Sequence, residues 1–517
     1  MLDYSRLATP PDHGDTLVEP PASVHPKLIA SNRRLIAGSS ARFAGIDLQT
    51  LRHRIRSALV GEPDAPIIVT GHQPEFIHPG VWAKHVVAVR LANATGGTAI
   101  NLVADNDAPK ETGLAVPSLE TNRLRRLIVP YADAQPNVAY ENIDPVDGPG
   151  RREFESQVRV AFGERFETSM LGDYFAAVRT GSADGAHWVD QMVGARRAVE
   201  QTLGIELLDH RISRVWYGPM LAEIVGDADR FAASYNEALA DYRRELGVRS
   251  SQHPIPDLHR SGDRQELPLW AYQRGETRRR LYVTRRGDRI TLYAGDGVIG
   301  DMAHRSLSDW DTADAALRSL GDWCFRPRAL MLTLWARLLL ADLFVQGIGG
   351  AKYDRITDGL IRNYYRFEPP SMIAVSATLH LALPRHDVGP DAARALKLRR
   401  RDLIYNPQRQ LTDSAALRDL KSRKIDALEE LKSLRGRGHS VRPQRREGFL
   451  GVRTLNHQML ALQPTVLADL EEQLARLLQH LQENDVATRR DYFFALYRRG
   501  DIEMLLDRLP SASDFGV

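Results

Sequence analysis

The chain has 517 residues, and its content of 43% hydrophobic and 26% charged residues is typical of a globular protein. Because 69 basic residues nearly balance 66 acidic ones, the net charge of +3 gives no case for a nucleic-acid partner. The one cysteine, Cys324, excludes an internal disulfide, and its aromatic neighbours favour a buried thiol over a catalytic one. No signal-like start and no membrane-length apolar run are present, so we expect a cytoplasmic protein without a membrane partner.

A strand–helix–strand unit is predicted in the first part of the chain. Residues 66–70, PIIVT, are apolar and mostly β-branched, which indicates a buried strand. Residues 81–93 contain neither glycine nor proline and fit a helix, and TAINLVA (98–104) indicates a second strand. Two strands joined in this way run parallel.

Two polar loops follow these strands, GHQPEFIHPG (71–80) after the first and DNDAPKE (105–111) after the second. Ligands of an open α/β sheet bind beyond the carboxyl ends of its strands, so we expect the loops to meet at one site. A polar loop whose histidine only caps a helix is the alternative interpretation. The residues that we assign to the site from these loops and the helix between them are Gly71, His72, Gln73, His78, Lys84, His85, Asp105, Asn106, Asp107 and Glu111.

A loop between a strand and a helix suits phosphate or carboxylate, because the helix start offers backbone N–H groups and the positive end of its dipole. His78-Pro79-Gly80-Val81 matches part of the HxGH motif with which Rossmann-type nucleotidyltransferases contact phosphates, but valine replaces the last histidine. Histidine and aspartate are also metal ligands, yet no tight spacing such as HExxH is present, so we assign no metal.

A second candidate site lies in FRPRALMLTLWARLLLADLFVQGIGGAKYDRITDGLI (325–361). Pro327 can begin a helix, and we expect this helix to run to a flexible glycine loop at residues 347–350. The amides of that loop could hold an anion, and a tight helix-to-helix turn is the alternative. The residues assigned to the site here are Arg326, Gly347, Gly349, Lys352 and Tyr353.

The remaining sequence indicates inserted elements and a helical C-terminal region. Residues 112–320 contain a predicted hairpin around Arg286-Gly287-Asp288 and a helix in ADRFAASYNEALADYRRELG. RGRGHSVRP (435–443) is predicted to be the turn between two antiparallel leucine-rich helices, whose leftover apolar surface predicts a homodimer. One helix carries Leu417, Leu420, Leu428, Leu431 and Leu434, and the other carries Leu467, Leu470, Leu474, Leu477 and Leu481, which alternate in steps of three and four.

Several of these segments follow one another as the motifs of a known family do. Gly71-His72-Gln73 stands where the family has Gly-Gln-Gln, and residues 104–108 stand where it has an acidic loop. Arg326-Pro327 and residues 347–353 match an Arg-Pro pair and a glycine loop followed by a tyrosine. In these motifs the chain resembles the bacillithiol biosynthesis cysteine-adding enzymes, ligases that join cysteine to glucosaminyl-malate.

The resemblance implies an α/β fold with a Rossmann-like, nucleotidyltransferase-like parallel-sheet core, inserted segments and a C-terminal antiparallel coiled-coil arm for dimerisation. We expect an N-terminal segment packing on the core (1–60), the core (61–385), the helical arm (386–485) and a segment returning to the core (486–517). The implied activity is carbon–nitrogen ligation of cysteine, or a similar carboxylate, to the amino group of an amino-sugar conjugate. ATP or ADP is the nucleotide expected if the carboxylate is activated, and no metal is implied.

In that reaction His72 and His78 would hold phosphates or developing charge, and Asp105 or Asp107 would hold the amine or act as a base. Lys352 and Arg326 would bind a carboxylate or phosphate. His72 and Asp107 depart from the family motifs, so we expect the fold to transfer better than the substrate. Two alternatives therefore stay open: nucleotidyl or acyl transfer to another small molecule on the same fold, and a non-catalytic small-molecule-binding dimer.

Overall fold

A computed structural model describes residues 2–120, 123–179, 187–215, 217–436 and 439–516. The chain divides into two compact units. The first comprises Met1–Leu119, Arg126–Leu381 and Arg490–Val517, and the second comprises Glu120–Arg125 and Ala382–Arg489. Within the described ranges, no helix combines the length and the apolar character needed to cross a bilayer.

Strands and helices alternate through most of the chain. The strands are β1 (Thr16–Glu19), β2 (Arg42–Phe43), β3 (Ile46–Asp47), β4 (Ile67–His72), β5 (Thr98–Val103), β6 (Leu114–Glu120), β7 (Arg123–Val129), β8 (Leu208–Arg211), β9 (Arg260–Ser261), β10 (Arg264–Tyr272), β11 (Arg279–Arg286), β12 (Arg289–Ala294), β13 (Gly297–Ala303), β14 (Cys324–Pro327), β15 (Leu343–Gln346) and β16 (Met372–Ala377). The α-helices are α1 (His25–Ala37), α2 (Leu48–Val60), α3 (Pro79–Ala94), α4 (Gly148–Phe162), α5 (Arg165–Thr168), α6 (Leu171–Arg179), α7 (Trp188–Gln201), α8 (Gly218–Gly226), α9 (Ala228–Glu245), α10 (Trp310–Arg318), α11 (Ala329–Trp335), α12 (Ile348–Leu360), α13 (Pro390–Tyr405), α14 (Ala415–Ser433), α15 (Arg442–Ala461), α16 (Pro464–Thr488) and α17 (Arg499–Arg508).

Six strands form the main sheet of the first unit, in the order β1-β16-β15-β4-β5-β8. Ile67, Ile68 and Val69 of β4 are fully buried, as expected for a central strand covered on both faces. The predicted strand–helix–strand unit is confirmed, because α3 connects β4 to the parallel strand β5. The predicted parallel sheet is corrected at one edge, where β1 runs antiparallel to β16 and makes the sheet mixed.

A second, antiparallel sheet of the same unit has the order β13-β12-β11-β10-β14, with β9 on β10. The predicted hairpin is confirmed, because β11 and β12 pair up to Arg286 and Arg289 on either side of the turn. The helix predicted in residues 228–246 is also confirmed, as α9. β14 pairs with β10, which brings the chain at Pro327 next to the second sheet.

The single helix predicted from Pro327 to the glycine loop is wrong. α11 ends at Trp335, a π-helical turn covers Ala336–Leu340, and the backbone becomes extended at Ala341. The four residues of β15 are buried between β4 and β16. A short apolar run has no periodicity that separates a buried strand from a buried helix, which explains the error. The glycine loop therefore joins a strand to a helix, and Gly347 is the N-cap residue of α12.

The second unit contains the helices α13 to α16. α13 and α16 pack antiparallel, because Arg400 donates to Glu471 while His386, just before α13, donates its N–H to Asn484. α14 packs against α15. The apolar core of this unit consists of Leu403, Leu411, Leu417, Leu420, Leu455, Met459, Leu460 and Leu470.

The predicted pairing of the two leucine-rich helices is wrong. Their leucines lie mainly in α14 and α16, but α15 separates these helices in the chain and is the partner of α14. The segment 435–443, of which 437 and 438 lie outside the described residues, thus leads from α14 to α15. α15 begins with several arginines and glycines, so a leucine repeat does not indicate this helix. Leucine repeats also do not specify which helices pair.

The C-terminal aromatic stretch packs on the first unit. Phe494 stacks on Trp82 of α3, with ring centroids 5.3 Å apart, and its N–H donates to the Ile77 carbonyl. The Tyr497 hydroxyl donates to the Leu379 carbonyl over 2.9 Å. These contacts hold the C-terminal segment against the end of the loop before α3, against α3 itself and against the chain that follows β16.

A buried ion cluster lies where the chain enters β15. The Asp342 carboxylate accepts hydrogen bonds from Arg52, Arg56 and the N–H of Ile67, at 2.7–3.0 Å. The Asp342 N–H in turn donates to the Ile67 carbonyl. Burial alone would raise the pKa of Asp342, but the two guanidinium groups hold this pKa below its usual value.

Replacing Asp342 by alanine should lower the free energy of unfolding by about 3–5 kcal/mol, because two buried guanidinium groups would lose their counter-charge. Urea denaturation followed by circular dichroism measures this loss. Asp314→Ala, which breaks the exposed pair with Arg318, is the matched control and should leave the midpoint unchanged. Equal midpoints for the two variants would contradict the assigned role of Asp342.

Candidate functional site

A cavity of about 730 Å³ lies beyond the carboxyl ends of β4, β5, β15 and β16 in the first unit. This volume suits a small-molecule ligand. β4 and β15 pair with Val345 opposite Thr70, so the loops that follow the two strands start side by side. The assigned residues that line the cavity are Gly71, His72, Gln73, His78, Lys84, Asn106, Asp107, Gly347, Gly349 and Tyr353.

Two assigned residues are buried outside the cavity lining, each bound to a side chain of another element. Both carboxylate oxygens of Asp105 accept hydrogen bonds, from the Arg211 guanidinium and from the N–H and hydroxyl of Ser213. The imidazole of His85 contacts Glu200 over 2.6 Å, and burial lowers the pKa of this histidine. Asp105 and His85 therefore hold structure together.

Three further assigned residues also lie off the cavity lining. Arg326 forms two hydrogen bonds with the Glu141 carboxylate, at 2.8 and 2.9 Å. Glu111 is exposed and accepts the N–H of Gly113, and Lys352 is half-buried on α12. Cys324 likewise lies outside the lining, and burial raises the pKa of its thiol.

His78 caps α3 and also faces the cavity, so both interpretations of the first loop hold for it. Its Nδ1 accepts the N–H of Gly80 over 3.1 Å. Burial, followed by the charge of Arg490, lowers the pKa of His78 to about 4, so the ring is neutral at neutral pH. Because Nδ1 is an acceptor, the proton of the neutral ring is on Nε2, which can donate to a ligand.

His72 has the opposite tautomer. Its Nδ1 lies 3.1 Å from the Gln73 carbonyl, which can only accept, so Nδ1 carries the proton. Burial and the neighbouring Lys84 charge lower the pKa of His72 to about 3. The neutral ring therefore has its lone pair on Nε2, which can accept a proton or a hydrogen bond.

Lys84 is the most buried cation of the lining, with 3% of its surface exposed. Its ammonium donates to the Gly71 carbonyl over 2.7 Å. Gly71 itself lies close to β5, since a Cβ there would lie 2.9 Å from the Leu102 oxygen. Burial lowers the pKa of Lys84 to about 8.

Arg490 enters the cavity from the C-terminal segment, and sequence reasoning missed it. Its guanidinium donates to the hydroxyls of Thr378 and Ser376, over 3.1 and 3.4 Å, and burial lowers its pKa. A Cβ built on Gly80 would lie 3.1 Å from Arg490 and 2.9 Å from the His78 ring, so these groups meet at the first turn of α3. The Asp491 carboxylate, next in the chain, opposes the effect of burial on the pKa of Arg490, while the Lys84 ammonium hydrogen-bonds to a carbonyl.

The glycine loop contributes backbone rather than side chains. The first N–H groups of a helix have no partner within it, and α12 begins at this wall of the cavity. A Cβ built on Gly347 or Gly349 would meet no atom within 4 Å, so an open space lies over these two residues. Such a helix start can hold the phosphate chain of a nucleotide or a carboxylate.

The acidic loop, residues 105–111, is bound by a charged side chain whose position the sequence did not indicate. The Asp107 carboxylate accepts hydrogen bonds from Arg278 over 2.8 Å and from Gln73 over 3.1 Å. Asn106 donates to the Pro327 carbonyl. Asp107 is therefore already neutralised by Arg278, whose position on an inserted segment no local pattern reveals.

Comparison with protein-family models gives no match, and no curated protein matches the chain significantly. Within the part of the chain that the structure describes, no group of three or more histidine, cysteine, aspartate or glutamate residues is arranged to hold a metal ion. The chemistry of the cavity must therefore be inferred from its own residues.

Sulfate affinity should fall as the pH rises through about 8, because the Lys84 ammonium then loses its proton in the folded protein. Sulfate keeps its charge over this range, and both cavity histidines are already neutral above about pH 4. Isothermal titration calorimetry measures the effect. Lys84→Arg should keep its affinity above pH 8, and Lys84→Met should bind weakly at every pH.

Lys27→Met, on an exposed face of α1, is the control and should follow the unmodified protein. An unchanged pH profile in Lys84→Met would show that the anion binds elsewhere.

Proposed function

We propose that the cavity is the active site of an enzyme that joins a carboxylate to an amine, forming a carbon–nitrogen bond. The observation that carries the proposal is a cationic group on the cavity wall: the buried Lys84 ammonium and the half-buried Arg490 guanidinium, which hydrogen-bond to a carbonyl and to two hydroxyls, with Arg490 meeting His78 at the first turn of α3. Buried charges are normally paired, so this cluster suits an anionic substrate.

Each group has a role in such a reaction. The anionic part of the substrate lies against Lys84, Arg490 and the Nε2 proton of His78, which stabilise negative charge as it develops. The His72 Nε2 accepts a hydrogen bond from the attacking amine and orients it, and the proton that the amine loses goes to the departing oxygen. The new C–N bond replaces a C–O bond, and the oxygen leaves as water or, when ATP is consumed, with its phosphoryl group. The start of α12 is the place for the phosphates of ATP or ADP.

The resemblance supports cysteine, or a similar carboxylate, as the acid and an amino-sugar conjugate such as glucosaminyl-malate as the amine. His72 and Asp107 stand at positions where the family motifs differ, and His72 faces the cavity directly. A nucleotide-dependent nucleotidyl or acyl transfer on another substrate is the alternative, which the open space over Gly347 and Gly349 favours.

Mass spectrometry of the protein incubated with cysteine and glucosaminyl-malate, with and without ATP, tests the proposal. A product heavier than glucosaminyl-malate by one cysteine residue is expected. His72→Ala and Lys84→Met should each lower its formation about 100-fold or more, since they remove the hydrogen bond that orients the amine and the charge that stabilises the anion. Cys324→Ser, outside the cavity lining, is the control and should retain activity.

No product, together with a melting temperature that rises with ATP, would favour the alternative transfer reaction. Ligand binding without turnover of any amine–carboxylate pair would favour a non-catalytic binding protein.

A homodimer through the helical unit is also part of this proposal. Large apolar side chains are exposed on two neighbouring helices there, Ile425 and Leu428 on α14 and Phe449 and Leu450 on α15. Light scattering after size exclusion should give twice the 58.0 kDa chain mass, and the double variant Leu428→Glu, Phe449→Glu should be monomeric. A monomeric parent protein would contradict the dimer.

A further inference from the structure

The cavity lining has two chemically different parts. The polar end consists of His72, His78, Lys84, Gly347 and Arg490, which come from the loops after β4 and β15 and from the C-terminal segment. The apolar end consists of Tyr235, Ile255, Pro268, Leu330 and Leu332, which come from α9, the loop before β9, β10 and α11. A ligand that fills both parts must carry an anionic group and an apolar group.

The charged groups next to the apolar end are already paired. Arg328 donates to Glu266 over 2.7 Å, and Arg280 contacts the other oxygen of that fully buried carboxylate. Arg278 is bound to Asp107, and both Arg278 and Arg328 lie within about 5 Å of the centroid of the Trp270 ring. These groups therefore offer no unpaired charge to a ligand, whereas the Lys84 ammonium at the polar end donates to a carbonyl.

Hydrogen bonds hold part of the apolar end in place. Arg243 of α9 holds the loop before β9 by hydrogen bonds to the Asp257 carboxylate and to the carbonyls of Ser251, His253 and Ile255. The Ile255 side chain, held in this way, stays half-buried and lines the cavity. Leu332 of α11 is likewise half-buried there. Apolar surface left facing water in a cavity is unfavourable, and an apolar ligand group removes this cost.

We propose that the apolar end binds an unbranched alkyl or acyl chain of the substrate, whose anionic head lies at the polar end. The inference deepens the proposed function, on which it rests for the position of the anionic group. It predicts that a carboxylate or amine with an aliphatic portion is used in preference to cysteine or glucosaminyl-malate. It agrees with the departures of His72 and Asp107 from the motifs of the cysteine-adding enzymes.

Isothermal titration calorimetry with methyl, butyl, hexyl and octyl phosphate at one pH tests the proposal, because these probes share one head group and differ only in the chain. Affinity should rise about fourfold for each added methylene until the apolar end is full, which corresponds to about 0.8 kcal/mol per buried methylene. Equal affinity for all four probes would overturn the inference.

Ile255→Ser and Leu332→Ser lie on different elements, and each should flatten the dependence on chain length while leaving methyl phosphate binding unchanged. Circular dichroism confirms that each variant is folded, and two separate positions keep the test valid if one fails. Val298→Ser, exposed on β13 outside the cavity lining, is the matched control and should keep the full dependence. If Ile255→Ser and Leu332→Ser both keep the full dependence of affinity on alkyl-chain length, the alkyl chain binds elsewhere and the proposal is refuted.

Failure of this inference can be told apart from failure of the proposed function. Lys84→Met should weaken all four probes by the same factor, since they share the head group. In one outcome Lys84→Met has no effect on affinity, while the dependence on chain length persists in the control and is lost in Ile255→Ser. The apolar end is then confirmed and the assigned anion site is wrong. If the probes bind through Lys84 with equal affinity, the anion site stands and the apolar end is refuted.

Discussion

The buried carboxylate of Asp342 joins the strands on which the cavity depends. It binds the N–H of Ile67 at the start of β4 and two arginines of α2, while its own N–H donates to the Ile67 carbonyl. These bonds set the register of β15 against β4, with Leu343 opposite Ile68. Because both strands are short and parallel, the histidine loop and the glycine loop then leave the sheet side by side.

The cations at the polar end of the cavity differ in their hydrogen-bond partners from most buried charges of the first unit. Most buried charges of the described chain are paired, as Arg211 is with Asp105 and Arg326 is with Glu141. The buried Lys84 instead donates to a carbonyl, and the half-buried Arg490 beside it in the lining donates to two hydroxyls. Such an arrangement costs stability in the unliganded protein, and an anion offsets that cost.

Neighbouring residues of one sequence motif separate into different environments. Asp105 and Asp107 are two positions apart, yet Asp105 is fully buried among Arg211 and Ser213 while Asp107 faces the cavity. Lys84 lines the cavity, and His85, next to it on α3, points to Glu200. A pattern of residue types therefore led to the region of the cavity but did not separate the residues that line the cavity from those that are buried beside it.

The sequence by itself determined the β4–α3–β5 unit, the hairpin of β11 and β12, and the two polar loops. The reason is that β-branched runs favour strands and glycines favour turns through interactions with neighbouring residues. It also placed ten of the assigned residues in the cavity lining, since parallel strands bring their carboxyl ends to one edge. Tertiary structure decided that residues 343–346 form a strand, that α14 pairs with α15, and that Arg278 and Arg490 reach the cavity. These outcomes depend on contacts between distant parts of the chain, and a local pattern carries no information about which distant partner a segment will meet.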